Sequence, residues 1–137
     1  MGRTILAVVA GAVVMWLTII TLEFASHALY PPPPGLDPKN QAQLAAIIAQ
    51  APFGAMAMLV LAWVGGAFTG GLTAAVISRQ HKRGAAIAIA LLVMLGVVGM
   101  IWVVPNHPVW VSALGLLLPV PAALFASRLA TRRNAPA

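Results

Sequence analysis

The stretch AWVGGAFTGGLTAAVIS, Ala62 to Ser78, carries the clearest packing signal in the chain. Ala62, Gly66, Gly70, Ala74 and Ser78 recur every four residues, and Gly65 and Gly71 widen the strip. That period lines small side chains along one helix face. Lipid tails are as apolar as leucine, so helices in a bilayer associate through close backbone contact, which small residues permit. The strip therefore reads as a central packing seam, either within one chain or between the copies of a homo-oligomer.

Composition around the strip agrees with a membrane setting. Of 137 residues, 61% are hydrophobic and 7% charged, far from the usage of a soluble domain. The chain has no cysteine, which excludes disulfides, thiolate metal sites and cysteine nucleophiles together. Four segments are long enough to cross a bilayer: 4–30, 52–78, 84–104 and 109–129. About 20 residues at 1.5 Å rise cover the hydrocarbon core. The expected fold is all-α: one domain over 1–137, with four transmembrane helices and an outer loop at 31–51.

The net charge of +6 does not form a basic face of the kind that binds nucleic acid. Arg3 precedes the first span, Arg79, Lys82 and Arg83 separate the second from the third, and Arg128, Arg132 and Arg133 follow the fourth. Lys39 alone falls in an alternate loop. This positive-inside bias predicts a multi-pass inner-membrane protein with both termini cytoplasmic. The inner residues would also meet anionic lipid headgroups, at roughly 1 kcal/mol each near the surface. The first span follows a short basic start, and Ser26-x-Ala28 resembles a cleavage site, but the run Ile5 to Leu22 exceeds the usual signal-peptide core and favours a retained helix.

The outer loop begins with YPPPPG, residues 30–35, a stiff polyproline II arm. A short helix over 38–50 should follow, with Asp37 as N-cap and Pro38 at its first position. Leu44, Ile47 and Ile48 would form its apolar face, placing it on the membrane surface or over the bundle. In the fourth span, Pro119 and Pro121 should deprive Gly115 and Leu117 of their usual backbone partners and kink or break the helix.

Only two carboxylates exist, Glu23 and Asp37, and both lie at the outer end. Trp16, Ile20, Glu23, His27 and Tyr30 follow one helical stripe, so Glu23 and His27 can meet. If His107 and Asn106, in the turn between spans three and four, approach that stripe, they complete a polar ligand-binding site of Glu23, His27, Asn106 and His107. Glu23, His27 and His107 would then offer a first shell for a divalent metal such as zinc. In the plainer reading, Glu23 and His27 are a neutralised pair holding the first helix in place. Trp16 and Trp63 are expected to pack, Trp102 and Trp110 to anchor at the interface, and Thr18, Thr21, Thr69 and Thr73 to bond to helix backbone or a neighbour. His81 is expected to be solvated.

Four short spans with one acidic residue in the first resemble the small multidrug resistance transporters, where a helix-one carboxylate exchanges protons for cationic drugs. The likeness is architectural. It departs from that pattern in the outer placement of Glu23, the fixed charge bias and the PPPP arm. Three functions follow from the residues. The first is a binding or transport protein whose outer site takes a proton, metal ion or small polar solute. The second is a metal-dependent membrane enzyme using the same cluster, and the third an accessory subunit docking a larger membrane partner through the seam.

Overall fold

The computed structural model describes residues 2–78, 80–104 and 106–132, so Arg79 and Arg133 of the charge pattern lie outside the described residues. Within them the chain is all helix and turn, with no strand. The helices are α1 (Gly2–Leu29), α2 (Gln41–Gln50), α3 (Phe53–Ile77), α4 (Lys82–Val103), α5 (Val109–Leu117) and α6 (Pro119–Arg132). Four stretches are long and apolar enough to cross a membrane: α1, α3, α4, and α5 with α6 together. The protein is a multi-pass helical membrane bundle.

α3 is the central helix. Half of its most apolar window is buried, against 11% for α1. The small-residue strip explains this, and the seam lies within the chain. A Cβ built on Gly70 would stand 2.6 Å from the Gly11 carbonyl oxygen, and one on Gly66 would stand 2.7 Å from Ile19 Cγ1. Ala74 meets the same place, 2.8 Å from a Cβ built on Gly11. At the seam's end, Ser78 is fully buried and its hydroxyl lies 3.4 Å from that of Thr4. α1 therefore fills the strip, and no larger partner can dock there without displacing it. The other small face of α3 receives α6: a Cβ on Gly71 would stand 3.1 Å from Ala123 Cβ. α4 closes the bundle, with Ile89 fully buried in a cluster with Ala74 and Ala85.

The threonines divide as their chemistry requires. Thr21 and Thr73 donate to carbonyls of their own helices, Leu17 and Thr69, at 2.7 and 2.9 Å. The hydroxyls of Thr18 and Thr69 sit 2.8 Å apart across the seam, and each is also near a carbonyl of its own helix. Each hydroxyl has one proton, so one donates across while the other keeps its own carbonyl. Among the described residues, no buried side-chain nitrogen or oxygen lacks a partner.

The fourth span breaks at Leu118. α5 ends at Leu117 and α6 starts at Pro119, while Leu118 N–H still donates to Leu114 and Ala122 N–H to Leu118, at 3.0 and 3.1 Å. Pro119 and Pro121 drop out of the ladder because they have no N–H. The break lets α5 cross the face of Trp63, where Gly115 leaves room: a Cβ there would stand 2.5 Å from the indole ring. Trp63 packs in the core as expected, at 6% exposure, but Trp16 is 59% exposed. α1 turns Ala7 and Gly11 inward, so its neighbouring large side chains are left on the membrane side.

Candidate functional site

At the end of the bundle away from Arg3, α1, α3 and α4 part and enclose a cavity of about 480 Å³. Its walls carry Glu23, Ser26, His27 and Tyr30 of α1, Met56 and Leu59 of α3, and Met100 and Val104 of α4, with His107 at the edge. The roof is the proline arm together with Leu44, Ile47 and Ile48 of α2.

Local sequence explains why the space stays open. Tyr30 ends α1 and packs onto Gly54, the residue with no side chain to resist it, and so ties α1 to the start of α3. The chain then runs through Pro31 and Pro32, where no backbone N–H is available to fold it inward. It reverses in a turn: Leu36 N–H donates to the Pro33 carbonyl at 3.2 Å, and Gly35 takes φ +87°. Proline second and glycine third is the type II pattern, since only glycine takes that φ freely. The expected polyproline arm is thus cut short at its third proline.

α2 starts later than the sequence implies. Asn40, not Asp37, is its N-cap, and the Asn40 side chain accepts from Ala42 N–H at 3.1 Å. The Asp37 carboxylate instead accepts from Lys39 N–H at 2.9 Å, and Asn40 N–H donates to the Asp37 carbonyl at 3.0 Å. That turn uses the residues expected to open the helix. α2 makes no close backbone approach to any other helix. Its apolar face points down, Ile48 touches the core, and the gap beneath is the cavity.

The structure brings together three of the four candidate ligand residues. Glu23, His27 and His107 line the same cavity, whereas Asn106 is exposed at φ +85° and does not line it. Asn106 serves the turn, since asparagine tolerates that left-handed conformation. His107 Nδ1 lies 2.9 Å from the Val104 carbonyl. A carbonyl only accepts, so Nδ1 carries the proton and Nε2 of the neutral ring is the free acceptor.

The metal reading fails on arrangement. Among the described residues, no group of three or more His, Asp or Glu side chains is placed to hold an ion, so Glu23, His27 and His107 share a cavity without forming a first shell. Glu23 and His27 share α1, whereas His107 comes from the turn before α5 across a wide space, and an ion needs all its ligands within about 2 Å of itself. Of the expected stripe, Glu23, His27 and Tyr30 reach the cavity, while Trp16 stands on the membrane face.

Sequence reasoning missed the apolar part of the site. Met56, Met58 and Met100 line it, and their mobile thioethers suit a surface that must fit a variable occupant. The signal was present in the apolar side of α2, which was expected to cover either bundle or membrane. Below the cavity, Val60, Trp63, Val93 and Val97 form a closed apolar cluster with Met56. Comparison with known families, curated proteins and solved structures found no match to this chain.

Proposed function

We propose that this is a membrane binding protein that takes an amphipathic small molecule into the cavity under α2. The supporting observation is the lining: one carboxylate, two imidazoles and a phenol, with Ser26 and Gln50, set into walls that are otherwise methionine, leucine, isoleucine, proline, alanine and valine. A space of about 480 Å³ is of the size that small ligands occupy, and mostly apolar walls with a few convergent polar groups are the usual form of such sites. The apolar body of the ligand lies against Leu44, Ile48 and the methionines. Its polar head, best a protonated amine, meets Glu23, with His27 and the free Nε2 of His107 beside it.

Binding is favoured over passage through the bundle because the cluster of Val60, Trp63, Val93 and Val97 fills the space beneath. By the positive-inside argument, the cavity opens on the outer face of an inner membrane, and the end with Arg3 and Arg128 faces the cytoplasm.

The test uses a dansyl-alkylamine as probe, with energy transfer from tryptophan as the readout in detergent-solubilised protein. Transfer should saturate in the wild type and weaken about tenfold in Glu23→Gln, the loss of roughly 1.4 kcal/mol expected for one charge-assisted contact. Ala55→Phe, which fills the cavity, should abolish it. Equal signals from all three proteins mean that the dye resides in the micelle, and the proposal fails.

A further inference from the structure

We propose a second site at the opposite end: Arg83 at the start of α4 and Arg128, Thr131 and Arg132 at the end of α6 form a recess that binds a phosphate group. Two helices hold the arginines in fixed relation. α4 and α6 meet through Ala86, Ala90 and Ala123, all fully buried, so the helix ends stand close together. The Lys82 ammonium donates to the Ala130 carbonyl at 3.3 Å and ties those ends directly. Lys82 is thereby used in the fold, and it offsets the negative end of α6 that would otherwise repel an anion.

Charge balance is the strongest argument. Three guanidinium groups share one recess, and neither side-chain carboxylate of the chain can reach them. Asp37 lies in the loop at the far end, and Glu23 is about 20 residues along α1 from Arg3, some 30 Å away at 1.5 Å per residue. Among the described residues no carboxylate balances the recess, which leaves it open to an anion from another molecule. Guanidinium presents paired donors that match two phosphate oxygens at once, which a lone ammonium does not. The recess also lies where two of the candidate spans end, and arginines at span ends are in reach of lipid headgroups. A lipid phosphodiester and free inorganic phosphate share the chemistry it selects.

Arginines at span ends also act as topology signals, so the test needs an arginine at the same end but outside the recess. Arg3 serves: its Nε donates to the Ile77 carbonyl at 3.0 Å, and it does not line the recess. Purified protein in maltoside detergent is titrated with phosphatidylglycerol, phosphatidylcholine and inorganic phosphate, and bound species are counted by native mass spectrometry. Phosphatidylglycerol should bind in preference to phosphatidylcholine. Arg83→Gln, Arg128→Gln and Arg132→Gln should each weaken it about fivefold, the factor expected for one cation near a headgroup. Arg128→Lys should fall between wild type and Arg128→Gln, and Arg3→Gln should match the wild type. Competition by inorganic phosphate identifies the free anion as a ligand of the same recess, and failure to compete assigns the site to lipid. If one of the three recess variants does not fold, the other two carry the test. Unchanged phosphatidylglycerol binding in them, or an equal loss in Arg3→Gln, overturns the proposal.

Discussion

At Gly11, α1 lies against α3 so closely that one added carbon on Gly70 would stand 2.6 Å from a backbone oxygen. About three turns further along, at Glu23, the same two helices border a cavity of about 480 Å³. The difference lies in what occupies the facing positions. Glycine and alanine on both helices bring the backbones into contact near Gly11, where nothing polar needs room. Toward Glu23 the side chains between them are Leu22, Met56 and Tyr30, and α2 roofs the space beside them instead of filling it. Close packing in this bundle is a local property set by side-chain size.

The comparison is broken most severely by Gly70→Leu. Its first added carbon meets the Gly11 carbonyl and Met15 Cβ, neither of which can swing aside, so the loss should be about 3 kcal/mol or more. Unfolding by dodecyl sulfate titration in mixed micelles would measure it, and a wild-type midpoint would refute the seam. Gly115→Ala comes next, at about 2 kcal/mol in the same assay, because the Trp63 ring must shift within a filled core. Gly96→Ala and Gly99→Ala should have the opposite sign. Nothing stands within 4 Å of a Cβ at either position, so each should gain up to about 1 kcal/mol from helix propensity alone. A loss there would show that these glycines face something other than lipid.

The smaller effects sharpen the comparison. A double-mutant cycle with Thr18→Val and Thr69→Val should give a coupling near 0.6 kcal/mol, the usual worth of one hydrogen bond between membrane helices. A coupling of zero would mean that both hydroxyls serve only their own helices. Ala55→Leu adds volume at the cavity wall, where space is available, so stability should stay within about 0.5 kcal/mol of wild type. A cost like that of Gly70→Leu would show that the cavity end is as tightly packed as the seam.

Much of this architecture is legible in the sequence. Hydropathy gives the four spans, the four-residue recurrence gives the α3 seam, and Pro119 and Pro121 give the break at Leu118. These signals are local, or depend on one helix alone. The start of α2 was not legible, because Asp37 and Asn40 are both good caps and the turn at Lys39 decided between them. Trp16 was misjudged because a stripe on an isolated helix does not say which part of it meets a neighbour. The gathering of Glu23, His27 and His107 was readable only as far as shared depth in the membrane. Whether they touch depends on how far α1 and α4 diverge, which the methionines and the standing of α2 determine. The grouping of Arg83 with Arg128 and Arg132 likewise depends on which helices become neighbours, and the order of the spans does not state it.

The one-sided seating of α1 bears on how its sequence can drift. Thr4, Ala7, Gly11, Met15, Thr18, Ile19 and Leu22 meet the bundle in steps of three and four, while Ile5, Leu6, Val9, Val13 and Leu17 are exposed. A saturation scan of this helix should therefore yield a barber-pole map. Intolerant codons would wind along one side, and freely interchangeable aliphatic codons would fill the rest.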